Sequence, residues 1–129
     1  MFVQYLSDRQ QAALLHYSYE VMRADKAVEA EESIHLEVLR SQVRPGIEAE
    51  DVPLGELADL FEDRLTRMAL LFELVGMGFA DDKYSEGETE LISQLAAALG
   101  IGDKDLAAIV SWVKRQLALA EEARNLIEG

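Results

Sequence analysis

The sequence contains no cysteine, which excludes disulfide cross-links, thiolate nucleophiles and cysteine-ligated zinc or iron–sulfur centres. Its two histidines leave a zinc enzyme short of nitrogen ligands. Proline occurs only at 45 and 53, both in one mid-chain segment, so the remainder of the chain carries no proline to break a helix. Basic residues are scarce: 12 Lys plus Arg stand against 25 Asp plus Glu, for a net charge of −13. A surface that acidic repels phosphate backbones and argues against a nucleic-acid partner. The most apolar stretch, 68–80, includes Glu73 and is too short for a membrane span. The first residues bring Asp8 and Arg9 early, without a charged start, an apolar run or a cleavage site, so a cytoplasmic protein is expected. No glycine-rich phosphate loop, nucleophile elbow or Ser–His–Asp order is present.

What the chain does contain is helical signal. It has 129 residues, half of them hydrophobic and 29% charged, the size and balance of one globular domain over 1–129. No segment alternates apolar and polar residues with β-branched enrichment, so strands are not expected. Ser7-Asp8-Arg9-Gln10 is a capping box opening a first helix to about residue 23. A second helix is predicted over 29–43, with Ile34, Leu36, Val38, Leu39 and Val43 as its apolar face. Arg44-Pro45-Gly46 ends it, and a short helix follows over 54–60.

From Leu65 onward apolar residues cover nearly the whole circumference of a helix reaching Phe79, which assigns it to the middle of a bundle. Ser85-Glu86-Gly87-Glu88 is a second capping box, and that helix ends at Leu99-Gly100. Asp103 is positioned to cap a closing helix over about 104–127, with Leu106, Ile109, Val110, Val113, Leu117 and Ala120 on one stripe. The expected fold is a compact all-α bundle.

Shifting the sequence by 56 residues overlays two helix–loop–helix units, about 8–43 and 64–99. Ala13-Leu14-Leu15 falls on Ala69-Leu70-Leu71, Ala24-Asp25 on Ala80-Asp81, Glu32 on Glu88, Leu36 on Ile92 and Leu39 on Leu95. Apolar agreement between helices is easily obtained. A shared Ala-Asp with a Glu seven residues after the Asp is not, because it spans the loop.

Each Glu lies in the first turn of a helix, where it accepts from free backbone N–H groups and faces the positive end of the dipole. Each Asp lies at a helix C-terminus, against a dipole penalty of roughly 0.3–1 kcal/mol. Two accounts of the Asp stand open. Either loop N–H groups bond the carboxylate in an Asx-type turn and the Glu merely caps, or a hard cation, Ca²⁺ or Mg²⁺, lies between Asp and Glu. The second unit is the richer in oxygen, with Asp81, Asp82, Glu86, Glu88 and Glu90, whereas Lys26 follows Asp25 in the first. The EF-hand run Asp-x-Asp-x-Asp-Gly is absent.

Paired helical units carrying Ala-Asp-x-x-(apolar)-x-x-x-Glu resemble the tellurite-resistance TerB-like family. The resemblance covers 14–39 and 70–99, with Val28 and Tyr84 as the apolar loop residues. It implies a compact helical fold of two such hairpins, divalent-cation binding through acidic loops, and a role in metal or chemical stress within membrane-linked complexes. Carried over, the site residues are Asp25, Glu32, Asp81 and Glu88, and Asp82 joins them as a further candidate from the oxygen-rich second loop. The glycine that usually follows the Asp is replaced by Lys26 and by Asp82. The implied molecule is not an enzyme. It has a protein partner, no membrane span, an association with membranes that is at most peripheral, and homodimerisation left open.

Glu32-Ser33-Ile34-His35 is a Glu-x-x-His on a helix, one half of a di-iron carboxylate constellation. The matching position in the second unit is Leu91, so that centre is incomplete within one chain and His35 is expected at a solvated or core-edge position. His16 and Glu20 stand four apart on the first helix, the spacing of a surface hydrogen bond. Glu73 belongs at the bundle's edge or is a buried acid, and Trp112, beside Lys114 and Arg115, is a candidate interface residue.

Overall fold

The structure is a computed structural model that describes residues 2–24, 30–79 and 86–129, with the side chains of 30–34 also outside the description. Among the described residues there are helices and no strands. They are α1 (Asp8–Ala24), α2 (Ala30–Gln42), α3 (Leu57–Leu60), α4 (Arg64–Gly78), α5 (Glu86–Ala98) and α6 (Asp103–Glu128), with 3₁₀ turns at Val3–Tyr5 and Leu54–Glu56.

The capping box forms as the sequence predicts. Gln10 N donates to Ser7 Oγ at 3.2 Å while Ser7 N donates to Gln10 Oε1 at 2.8 Å, satisfying two orphan donors at the start of α1. Gln10 also spends its amide outward, donating to Leu60 O at 2.9 Å, so the start of α1 is tied to the approach to α4. The neighbouring Gln11, buried, donates to the carbonyls of Val3 and Leu6, and accepts from Arg44 N at 2.9 Å. One side chain thus bonds three backbone groups of the segments flanking α1 and α2.

The helix apolar on all sides is indeed central. α4 packs against α1, α5, α6 and the first 3₁₀ turn, and Ala69, Leu70, Leu71, Leu74 and Val75 are buried along it. Its N-cap is Asp63, whose carboxylate accepts from Thr66 N and Thr66 Oγ1, each at 2.8 Å. Those two hydrogen bonds, the backbone one first, hold the Asp63 carboxyl below its usual value of 3.8. The sequence carries a signal for this cap, an Asp three residues before a Thr at the start of an apolar run, which the reading from Leu65 onward passes over. Leu65 itself is 56% exposed.

The segment from Arg44 to Pro53 has no regular structure but lies along α1. Glu50 N donates to Ala12 O at 3.1 Å, Arg9 pairs with Glu50 at 2.9 Å, and the Tyr17 hydroxyl donates to Val52 O. Burial, with Asp51 and then Glu20 nearby, raises the Tyr17 phenol above its usual value of 10.0. Gly46 takes a φ of +86° in the turn after α2, a conformation glycine adopts without steric cost.

Three local expectations differ from what forms. Val38 is 49% exposed: among the described side chains of this stretch Leu39 and, just past the end of α2, Val43 are buried with Leu36 half-buried beside them, while the Ile34 side chain lies outside the described residues. Asp103 is the first residue of α6 and Gly102 the N-cap, without a side-chain cap bond. Only Ile109 and Val113 of the α6 stripe are buried, since the helix outruns the body and leaves Leu117 and Ala120 exposed. The α5–α6 joint closes on glycine: Gly100 has φ +71°, Ile101 N donates to Ala96 O at 2.8 Å and Gly100 N to Ala97 O at 3.1 Å. That is a Schellman ending.

Candidate functional site

The five acidic positions singled out in the sequence are unequally described. Asp25, Asp81 and Asp82 lie outside the described residues, and Glu32 contributes only its backbone, within α2. Glu88 is described in full. It occupies the first turn of α5 and is 3% exposed, an unusual depth for a carboxylate, which belongs inside a protein only when its charge is met.

What surrounds the start of α5 is decided by Gly87. A Cβ built there would lie 2.6 Å from the carbonyl oxygen of Ala24, the last residue of α1. The end of α1 and the start of α5 therefore touch, and they do so through backbone. Asp25 follows Ala24 in the chain, and the 80–85 segment leads directly into Glu86. The residue that precedes the first acidic turn in the chain thus touches the helix that follows the second. At the other edge of the second turn stands Phe79, buried at the close of α4, with Lys114 Nζ of α6 placed 5.7 Å from its ring centroid. The oxygens at these helix ends, the Glu88 carboxylate and backbone carbonyls, are hard donors of the type that Ca²⁺ and Mg²⁺ take. Among the described residues, no three Asp, Glu or His side chains gather around one point.

The remaining candidates resolve as local structure. His16 pairs with Asp51 at 3.3 Å and meets the Tyr17 ring edge-on, whereas Glu20 pairs with Arg23 at 2.8 Å. The i, i+4 bond is pre-empted because the 44–53 segment brings Asp51 to α1. His35 is exposed on α2. Glu73 is half-buried and its Oε1 accepts from Phe2 N at 2.7 Å, so it anchors the N-terminal turn to α4. Trp112 lies in an aromatic cluster, tilted against Phe2 with ring centroids 5.9 Å apart and edge-on to Phe72 at 5.2 Å.

Sequence reasoning missed the concave features of the surface. A groove of about 650 Å³ lies between α5 and α6, with Leu106, Ala107 and Val110 beneath Lys114 and Arg115. The adjacent Lys-Arg pair is its only mark in the sequence.

Comparison of the chain with protein-family models, with curated proteins and with solved structures finds no match in any of the three. No helix among the described residues is long and apolar enough to cross a membrane.

Proposed function

We propose that this chain is a non-catalytic, TerB-like helical module. In this reading it binds a divalent cation, Ca²⁺ or Mg²⁺, through the acidic turns that follow α1 and α4, and serves chemical stress response or protein interaction. The observation that carries the reading is the contact of Ala24 with Gly87, beside the buried Glu88. It sets the residue before Asp25 against the residue before Glu88, which supports a reading in which the two acidic turns act together. The repeat is supported further by matched burial: Ala13, Leu14 and Leu15 are as buried as Ala69, Leu70 and Leu71, and Leu39 and Val43 as Leu95 and Leu99. Asp25, Asp81, Asp82, Glu32 and Glu88 are the residues that would hold the ion. It would supply charge neutralisation and cross-linking of the two turns.

A second reading has a specific observation behind it. Glu88 is the third residue of α5, the position that Gln10 occupies relative to Ser7 in the formed capping box of α1. In that reading Glu88 serves the helix start alone, and the molecule is an interaction bundle without metal.

Calorimetric titration of chelator-stripped protein with Ca²⁺ and with Mg²⁺, at about 0.15 M salt where surface attraction is screened over ~8 Å, separates the two. Saturable binding at one or two sites, weakened more by Asp81→Ala or Glu88→Ala than by Asp25→Ala, is the result expected of the cation module. A featureless, salt-sensitive response, with Glu88→Ala costing about 0.5–2 kcal/mol of stability whether or not the ion is present, establishes the capping role instead.

A further inference from the structure

α6 is far longer than the body it closes. It runs 26 residues, yet its last buried residue is Val113, so roughly four turns extend past the core. That extension is not uniformly polar. Trp112, Gln116, Leu119, Ala123 and Leu126 follow one another at spacings of four, three, four and three, the seam of a two-helix contact, and Ile127 flanks it. Leu119, Leu126 and Ile127 are 64%, 79% and 85% exposed. At its inner end the seam enters a groove of about 470 Å³ lined by the apolar Trp112, Phe2, Phe72 and Gly76 and by the polar Gln42, Glu73 and Gln116. A Cβ on Gly76 would meet nothing within 4 Å, so this wall is open to an incoming side chain.

Charge identifies the occupant. From Ser111 to the last residue the chain carries Lys114, Arg115 and Arg124 against Glu121, Glu122 and Glu128, a balanced set in a molecule of net charge −13. A second copy would meet strong repulsion over most of this surface, but not here. The order of the charges is also self-complementary. Arg115 and Glu122 stand one heptad apart on the same edge of the seam. Antiparallel pairing with Gln116 opposite the partner's Leu119 sets Arg115 against the partner's Glu122, and by symmetry the reverse. Parallel pairing forms neither. Among the described residues of the single chain, Arg115 Nε donates to the Ser111 carbonyl at 3.4 Å.

The geometry points to a two-fold homodimer in which the α6 extensions pack antiparallel, each tip covering the partner's groove beside Trp112, Phe72 and Gly76. It is tested on the full chain by sedimentation velocity across the micromolar range. The expected species has twice the 14.4 kDa of one chain. Leu126→Glu with Ile127→Glu returns it to monomer with helicity by circular dichroism unchanged, because both side chains are exposed. Arg115→Glu alone and Glu122→Arg alone each weaken the dimer by about tenfold or more, since each creates two like-charge contacts, and the double exchange restores it. A monomer throughout that range overturns the proposal. So does a dimer indifferent to the Leu126 and Ile127 changes, or a double exchange that fails to rescue.

Discussion

The carbonyl oxygen of Ala24 stands 2.6 Å from the point that a Cβ on Gly87 would occupy. Because the opposing atom is backbone at the end of α1, no rotamer change relieves the clash, and α1 and α5 must separate. Gly87→Ala is expected to destabilise the protein by about 1–3 kcal/mol, the range of an overpacked contact, against the usual helical gain from Gly to Ala. Gly76→Ala, where the added methyl meets nothing, should instead stabilise by about 0.5–1 kcal/mol. Urea unfolding of the two variants, with unchanged m-values, checks both signs. If Gly87→Ala proves neutral, the contact of α1 with α5 is looser than described.

Two buried polar side chains on α1 make opposite predictions. Gln11 partners Val3 O, Leu6 O and Arg44 N; the two carbonyls keep donors in Leu6 N and Arg44 Nη2, so Gln11→Leu leaves Arg44 N unmatched and should cost about 1–3 kcal/mol. Ser18 is fully buried, and its Oγ finds no hydrogen-bond partner among the described residues. Ser18→Ala removes a desolvated hydroxyl and should be neutral or stabilising by about 1 kcal/mol. Thermal unfolding of the pair decides: equal losses in both would show that the Ser18 hydroxyl is satisfied.

Stability should fall at both ends of the pH scale for identifiable reasons. Hydrogen bonds from Thr66 depress the Asp63 pKa below 3.8 in the folded chain. The stabilisation is therefore complete above that value and is lost as pH falls through the depressed one. Asp63→Asn should flatten this part of the acid limb. Burial raises the Tyr17 pKa above 10.0, so its contribution is complete below pH 10.0 and is lost as pH rises through the raised value. Tyr17→Phe removes that alkaline slope and, having lost the bond to Val52 O, should cost about 1–2 kcal/mol at neutral pH. Denaturation midpoints measured across pH for the two variants test this, and slopes superimposable on the parent's would refute it.

Much of the architecture was legible because helix signals are local. The capping box at Ser7 and Gln10, the stop at Pro45-Gly46, the Schellman glycine at 100 and the all-round apolarity of α4 each act within a few residues of where they are written. The site was less legible. Glu88 could be named as a first-turn acid, but neither its burial nor the arrival of α1 against the adjacent Gly87 is written locally, since no periodicity reports an approach between residues 63 apart. His16 went to Asp51 rather than Glu20 for the same reason: the competing partner came from a distant segment.

By itself, then, the order of residues determined that this chain forms helices, where most begin and end, and that α4 lies at the centre. Those properties follow from propensity, capping and apolar period, which are summed along the chain. Tertiary structure alone decided that the end of α1 meets the start of α5, that the 44–53 segment lies along α1, and that α6 continues past the core. Each depends on which surfaces come together in space. A glycine without a Cβ, a glutamine that bonds three backbone groups and a helix longer than its support acquire meaning only when the neighbouring element is in place.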